Sequence, residues 1–447
     1  MVINNFFAWI VTALVGAAII ADVRHDLRRL IRGRSVVLIG IVSWFLLEGI
    51  TLSDPLREAG QEIYDYSIFC VFLSAAAFLV GYHSLQPTQI FGPVANSFRK
   101  LDSPELLWRV VLFCAIVGFA PVLYYSGAEF VELINGILGM RKSWGGMLTR
   151  GRYGGFREAV LQLENFVYAA TPLAFILLLD KRVTALRKTI CLTVISWTLL
   201  RAFGSGTRSM LISSTLPLLG LVYFKSGPKL QRSLILCGLL SMPVVYYFMA
   251  AIVASRGGGE FDWNAGTNVS YVGSEMLQEV AYIAKNVPEN VPYQYGYGYY
   301  VQICNPIPRF IWPGKPSLDA GIMLAEMKGL VDKSGEAWLT TSPGLIGEMY
   351  LNFGLLGIIG LSGLGGWVVR GWDQLIELHS DSLCTMIYYS MGLATLFILG
   401  RSFTMTMFYA MIFLYIGVWL VTRWTLSPQP SSSQSYVAFK TNNVVPR

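Results

Sequence analysis

Asn305-Pro306-Ile307-Pro308-Arg309-Phe310-Ile311-Trp312-Pro313-Gly314-Lys315-Pro316 lies inside the one long polar interval of this chain, residues 255–342. On both sides of that interval, apolar runs of membrane-spanning length alternate with short connectors. This pattern predicts an all-α, polytopic integral membrane protein. Residues 1–447 would form a single transmembrane domain, and 255–342 would be an extracytoplasmic loop inserted into it.

The composition supports a membrane protein and gives no sign of nucleic-acid binding. The 447 residues are 54% hydrophobic and 14% charged, whereas roughly 25% charged is ordinary for soluble domains. The net charge of +7 is concentrated in short connectors, where basic residues orient inner-membrane proteins. No Lys/Arg-rich tract is interleaved with base-stacking aromatic residues. We therefore expect a lipid bilayer, and no nucleic acid, as a partner.

Hydropathy predicts about eleven transmembrane spans. They fall at about 6–21, 36–52, 66–83, 106–125, 159–179, 189–203, 209–224, 233–254, 343–367, 383–400 and 404–422.

Charge asymmetry predicts the orientation. The first apolar run has no basic residue before it and is followed by five arginines within 24–34. This favours an uncleaved span with its N-terminus outside. Alternation then places the most basic short connectors, 180–188 and 225–232 among them, in the cytoplasm of a bacterium. The polar tail 425–447 is predicted to be disordered and cytoplasmic.

Many cations nevertheless fall on the predicted outer face, against the topological bias. The candidates for substrate binding are Arg150, Arg152, Arg208, Arg256, Arg309, Lys315 and Arg401. The alternative without a binding site is that long loops translocate regardless of their charge and that arginine side chains extend to lipid headgroups.

Three arginines are predicted to lie at one depth and to bracket a pyrophosphate. Arg208 follows glycines at a tight hairpin and opens a helix, Arg256 directly follows a span, and Arg401 separates two spans. Planar guanidinium groups suit phosphate oxygens and would stabilise charge on a leaving group. Glu348, one turn into the next span, could accept a proton from a sugar hydroxyl or pair with an arginine.

Aromatic residues of the loop offer surfaces for sugars. Tyr297 and Tyr299 belong to the run 293–300, and Trp312 lies in the proline-rich segment that would hold Arg309 and Lys315 in place. An interfacial aromatic belt is the alternative explanation. Apolar residues at helical spacing in 276–283 and 322–330 predict two short amphipathic helices on the membrane surface.

No cofactor or metal is expected. The six cysteines are scattered, and the three histidines fall on or beside connectors, so neither a metal-ligand spacing nor a histidine triad is indicated.

Three motifs in the C-terminal half give the chain a family resemblance. They are Gly206-Thr207-Arg208-Ser209, the proline-rich stretch quoted above, and Gly347-Glu348-Met349-Tyr350-Leu351-Asn352-Phe353-Gly354-Leu355-Leu356-Gly357. In order and topology these resemble the Wzy-type polymerases, which join oligosaccharide repeat units in O-antigen and exopolysaccharide pathways.

The resemblance implies a GT-C-like membrane glycosyltransferase that acts on undecaprenyl-pyrophosphate-linked glycans outside the cytoplasm. Arg208, Arg256 and Arg309 would bind the pyrophosphate, and Glu348 would assist the acceptor or orient an arginine. A flippase and a chain-length regulator would be its protein partners.

Three alternatives stay open from the sequence. An O-antigen ligase would share the outer loop and the donor. A metal-dependent lipid-phosphate-sugar transferase would use acidic residues of the first outer connector, Asp54, Glu58, Glu62 and Asp65. A transporter or flippase belongs to another class, and usually places charges near mid-membrane in repeated halves.

Overall fold

The computed structural model describes residues 6–47, 60–84, 90–125, 129, 156, 160, 162–204, 208–255, 276–316, 320–330 and 341–425. The tail predicted to be disordered, apart from Thr425, lies outside these residues.

The described residues are helical and contain no β-strand, which confirms the all-α prediction. The α-helices are α1 Phe6–His25, α2 Gly33–Ile41, α3 Gln61–Ser84, α4 Gly92–Arg99, α5 Pro104–Tyr125, α6 Asn165–Leu179, α7 Ala185–Gly204, α8 Arg208–Lys225, α9 Pro228–Ser255, α10 Met276–Asn286, α11 Tyr297–Cys304, α12 Ala320–Met327, α13 Leu345–Leu378, α14 Leu383–Leu399 and α15 Tyr409–Thr425.

The chain is a helical membrane protein. Among the described residues, six helical stretches are long and apolar enough to cross a membrane: Phe6–Arg24, Gln61–Ser84, Pro104–Tyr124, Gln162–Leu179, Leu345–Leu378 and Met405–Thr425. Each of the eleven predicted intervals contains a helix. The count of eleven crossings and the GT-C-like fold stay predictions.

The connectors that were predicted to be cytoplasmic meet at one end of the helix bundle, here called the Asp373 end. Its centre is the Asp373 carboxylate, which is fully buried. Asp373 accepts hydrogen bonds from Gly33 N (2.8 Å) and Arg34 N (3.3 Å) at the start of α2, and from Tyr82 Oη (2.8 Å) and Tyr389 Oη (2.6 Å). A carboxylate facing a helix N-terminus is electrostatically favourable. Asp373 thus ties α2, α3, α13 and α14 together.

Further polar contacts gather the other connectors at the same end. Arg34 pairs with Asp22 at the end of α1 and donates to His83 Nε2 at 2.7 Å. Arg99 pairs with Asp381 at 2.9 Å. Arg34 and Asp22 are both buried, whereas the Arg99–Asp381 pair is more than half exposed and contributes little. The partners of both pairs show which helix ends are neighbours.

The central helix contact joins α3 and α13. A Cβ on Gly81 would collide with the backbone of Gly363, and one on Gly366 would collide with the carbonyl of Phe78. Ser74 and Ser362 share a hydrogen bond of 2.9 Å across the same contact. Small residues let two helix backbones approach closely in a membrane, so α13 is anchored along its length.

The helix predicted over 276–283 exists as α10, but its predicted surroundings are wrong. Its apolar face does not lie on a membrane surface. Leu277, Val280 and Ile283 are completely buried in a cluster with residues of α3 and α13. Glu279 on the same helix pairs with Lys328. The segment is therefore built into the helix bundle, because other helices of the chain cover its apolar face better than lipid headgroups would.

Candidate functional site

The candidate site surrounds Glu348 in the first turn of α13, and the surrounding part of the molecule is here called the Glu348 end. The side chain is buried, with 4% of its surface exposed. One carboxylate oxygen, Oε1, accepts from Ser402 Oγ at 2.8 Å, and the other, Oε2, accepts from Phe403 N at 2.8 Å. The turn between α14 and α15 therefore fixes the carboxylate by both of its oxygens.

The same turn carries Arg401. The Gly400 carbonyl accepts from Leu345 N (3.1 Å), one of the first N–H groups of α13, which have no partner within their own helix. Arg401 Nε donates to Ser342 Oγ at 3.0 Å, immediately before α13. The turn 400–403 therefore holds the start of α13. Arg401 lies within this turn, between Gly400 and Ser402.

A break in α13 connects this unit to the aromatic run. Gly354 adopts φ 63° and ψ −149° inside the helix, a conformation that is essentially restricted to glycine. The carbonyls of Leu351 and Asn352, which an unbroken helix would use internally, accept from Gln294 N and Tyr295 N at 3.0 Å each. The sequence predicted one uninterrupted span here, and the break is what lets the loop dock.

Asn352 strengthens this connection. Its Nδ2 donates to the Glu348 carbonyl at 2.8 Å, and its Oδ1 accepts from Gly296 N at 3.0 Å. Its side chain is buried, and both contacts satisfy groups that would be costly to leave unpaired. Asn352 therefore fixes the aromatic run relative to Glu348.

Tyr299 lies beside Glu348 and Phe403. Its ring packs edge-on against that of Phe403, with centroids 5.7 Å apart. Burial, and then the negative charge of Glu348, raise the pKa of Tyr299 well above its ordinary value. The buried hydroxyl has no hydrogen-bond partner among the residues that the structure describes. It therefore stays protonated near neutral pH, and its proton has no described acceptor.

The other aromatic candidates lie further out. Tyr297 is 40% exposed, on the outer surface of α11, and its ring centroid is 6.4 Å from that of Tyr300. Trp312 is half-buried, and its backbone N–H donates to the Pro308 carbonyl at 3.1 Å. The structure brings Tyr299, rather than these two, to Glu348.

Arg309 and Lys315 contact their own segment. Lys315 is 4% exposed, and its Nζ donates to the carbonyls of Asn305 (2.9 Å) and Ile307 (2.8 Å). Burial, and then the neighbouring charge of Arg309, lower the pKa of Lys315. Arg309 Nη1 donates to the carbonyls of Lys315 (2.9 Å) and Pro313 (3.4 Å). These contacts shape the non-helical segment, as the prolines predicted.

The remaining predicted cations are less fully described. Arg208 is the first residue of α8, which confirms that it opens a helix. Its side chain, together with Arg150, Arg152 and Arg256, lies outside what the structure describes.

Helix packing shows at which end of the bundle Arg208 lies. α8 and α14 run in opposite directions and meet where a Cβ on Gly220 would lie 2.6 Å from Ser390 Oγ. Arg208 precedes Gly220 by twelve residues, and α14 ends at Leu399, nine residues after Ser390. At 1.5 Å per helical residue, these two helix ends lie about 18 Å and about 14 Å beyond that contact. The start of α8 and the turn that carries Arg401 therefore lie at the same end of the bundle.

A second buried charge pair, between Glu164 and Arg201, is structural. Arg201 Nε lies 3.4 Å from Glu164 Oε1, and Trp197 Nε1 donates to the same oxygen at 3.2 Å. The pair links the start of α6 to α7.

No three potential metal-ligating side chains meet within the described ranges. Of the acidic first connector, Asp54 and Glu58 lie outside those ranges, and Asp65 accepts from Gln61 Nε2 at 2.8 Å.

Sequence reasoning missed three partners of the site: Ser342, Asn352 and Ser402. Small polar residues are common near span ends, so their type alone carries no signal. Asn352 and Gly354 within an apolar run gave the best available sign of a break.

Comparison of the chain with protein-family models, curated proteins and solved structures finds no match. We therefore infer the function from the residues and contacts of the Glu348 end itself.

Proposed function

We propose that the protein is a membrane glycosyltransferase that polymerises undecaprenyl-pyrophosphate-linked oligosaccharide repeat units into O-antigen or exopolysaccharide. The observation that carries this proposal is the Glu348 end. There a buried carboxylate, an arginine on a fixed turn and a tyrosine hydroxyl without a described partner lie together.

The reaction needs few groups. A hydroxyl oxygen of the acceptor repeat unit attacks the anomeric carbon of the growing chain. The bond from that carbon to the pyrophosphate oxygen breaks, and the hydroxyl proton passes to a base or to water. Because pyrophosphate is already a good leaving group, cations that stabilise its charge are the main requirement.

Glu348 fits the positioning role better than the role of general base. One of its oxygens accepts a hydrogen bond from Ser402 Oγ and the other from Phe403 N, and only 4% of the residue is exposed. A base for a sugar hydroxyl must come within hydrogen-bond reach of it. We therefore assign Glu348 to holding the turn that presents Arg401.

Arg401, Arg208 and Arg256 are proposed to bind the pyrophosphate. The position of the Arg401 turn and the α8 start at the same end of the bundle supports the first two. Arg256 follows Ser255, the last residue of α9. Bidentate contacts from arginine would distinguish these sites from lysine sites.

The proposed setting is the bacterial inner membrane with the Glu348 end facing outward. The N-terminus would then lie outside and the C-terminus in the cytoplasm. The substrate must be delivered by a flippase, and a chain-length regulator is a further proposed partner.

The direct test supplies purified protein with synthetic undecaprenyl-pyrophosphate-linked repeat units of the native kind. Product length is read on a gel, with and without a metal chelator. We expect a ladder of products in both conditions. A ladder lost on chelation would favour the metal-dependent transferase, and no ladder from folded protein would favour the ligase or transporter.

The arginines can be tested in the same assay. Arg208→Ala and Arg256→Ala should each abolish the ladder while leaving the protein folded in the membrane, and lysine at either position should rescue poorly. A normal ladder from both alanine variants would overturn the pyrophosphate assignment.

A further inference from the structure

The segment 297–311 exposes a continuous set of apolar side chains. Ile303 and Ile311 are 62% and 65% exposed, and Phe310 is 52% exposed. Phe156, itself exposed, packs edge-on against Phe310 with centroids 5.5 Å apart. We call this surface the 297–311 face; its exposed members are Tyr297, Tyr300, Ile303, Ile307, Phe310 and Ile311.

Two cations of the segment donate hydrogen bonds to the segment's own carbonyls. Lys315 Nζ and Arg309 Nη1 donate to carbonyls of residues 305–315 at 2.8–3.4 Å. In an aqueous loop, hydration would stabilise these cations, whereas exposure of the isoleucines to water would be unfavourable. Non-helical backbone is excluded from the hydrocarbon core unless protein or water covers it, but apolar side chains can enter the boundary between headgroups and acyl chains from a backbone at the headgroup level. The segment follows this second pattern.

The 297–311 face starts next to an exposed apolar surface of α13. Gly296, directly before α11, lies against the ring of Phe353, 3.2 Å from where a Cβ on Gly296 would lie. Phe353 begins an exposed apolar stripe along the membrane-spanning helix, continued by Leu356, Ile359, Leu364 and Val368. The 297–311 face therefore begins beside the exposed apolar stripe of α13.

The depth agrees with this arrangement. The charged residues of α13 at the Asp373 end begin at Arg370. A hydrocarbon core of about 30 Å corresponds to about twenty helical residues. The opposite boundary of the core then falls near Tyr350, beside the carbonyls of Leu351 and Asn352 that bind the aromatic run.

We propose that the 297–311 face lies at the boundary between the headgroups and the acyl chains of the leaflet at the Glu348 end. Its exposed tyrosine, isoleucine and phenylalanine side chains contact the upper part of the acyl chains, and its backbone lies at the headgroup level. The segment then holds the Glu348 site at the level where a lipid-linked substrate emerges from the bilayer. The embedding itself does not depend on which reaction the protein catalyses.

The test uses nitroxide labels on the full chain in vesicles of phosphatidylethanolamine and phosphatidylglycerol. Five of the six cysteines are buried and Cys237 is exposed, so Cys237→Ser provides the background, checked for absence of labelling. Ile303→Cys and Ile311→Cys are compared with Glu289→Cys, an exposed polar position of the same loop. Collision rates with oxygen and with a water-soluble nickel chelate report lipid and water exposure.

We expect the oxygen-to-nickel ratio at positions 303 and 311 to exceed that at position 289 several-fold. Equal ratios at all three positions would overturn the proposal, because the face would then be in water. Labels at 303 and 311 that are immobilised and reached by neither reagent would also overturn it, since a second copy of the chain would then cover the face. Because the substituted positions are exposed, folding should be retained, as elution in a single monodisperse peak would show.

Discussion

The two ends of the molecule each hold a buried carboxylate on α13, but they use it differently. Asp373 accepts from two backbone N–H groups and two tyrosine hydroxyls, all of which belong to packed helices. Glu348 is held by a turn that also carries Arg401, and its neighbour Tyr299 has a hydroxyl with no described partner. A site in which every polar group is satisfied stabilises a fold. A site with a remaining donor and a nearby cation can bind a ligand.

The largest effect is expected at the Asp373 end. Asp373→Ala leaves the four donors without their buried acceptor, and should reduce the free energy of unfolding by about 3–5 kcal/mol. Thermal denaturation followed by size-exclusion chromatography measures this loss. Asp381→Ala is the control, because the exposed pair of Asp381 with Arg99 should contribute little. Equal losses from the two variants would remove the structural half of the comparison.

Glu348→Gln should affect activity more than stability. One end of the amide is a donor, so the amide cannot accept from both Ser402 Oγ and Phe403 N, and a displaced turn would misplace Arg401. We expect polymer formation to fall by about 100-fold, as small misplacements in active sites can cause. The thermal shift should be smaller than that of Asp373→Ala. A variant that unfolds as readily as Asp373→Ala would mean that both carboxylates are structural.

The break in α13 can be tested with two glycines of one helix. Gly354→Ala should cost about 1–3 kcal/mol of stability, because its backbone conformation suits glycine alone and a Cβ would lie 2.9 Å from Tyr293 Oη. Gly360→Ala, in open space on the same helix, should be neutral or slightly stabilising. The measurement is the difference in thermal stability. If Gly354→Ala matches Gly360→Ala, the break is not required.

Tyr299→Phe is the mildest change. Its hydroxyl makes no described hydrogen bond, so removal should leave stability near neutral pH unchanged. Polymer yield should fall by about tenfold, equivalent to about 1.4 kcal/mol for a donor to the ligand. An unchanged polymer yield would remove Tyr299 from the site.

The same variant gives a pH test. The pKa of Tyr299 is raised in the folded protein, whereas a tyrosine in the unfolded chain ionises at about pH 10. Stability should therefore fall as pH rises above that value, and Tyr299→Phe should lose less stability there than the wild type. Identical stability profiles for the two proteins above pH 10 would contradict the buried, protonated hydroxyl.

Much of the fold could be predicted because membrane spans are local signals. Each predicted apolar interval contains a helix, and the basic connectors meet at one end of the bundle. Both could be predicted because hydropathy and charge depend on residues that are consecutive in the sequence. Arg208 at a helix start and the non-helical segment around Pro306 and Pro313 were predicted for the same reason. Glycine and proline act on their own backbone.

The rest depends on contacts between distant residues. α13 extends to Leu378, beyond the predicted end at residue 367, because the buried carboxylate of Asp373 accepts hydrogen bonds from three other helices. The apolar side of α10 met α3 and α13 instead of lipid. Ser402 and Asn352 became partners of Glu348 through a turn and a helix break that no spacing revealed.

The measurement that most directly tests the account compares Arg401→Ala with Arg99→Ala in the repeat-unit ladder assay. One variant removes the arginine beside Glu348, and the other removes a half-exposed arginine paired with Asp381 at the opposite end. The account predicts no ladder from Arg401→Ala and a wild-type ladder from Arg99→Ala, with both proteins folded. A wild-type ladder from Arg401→Ala would contradict the placement of the chemistry at the Glu348 end.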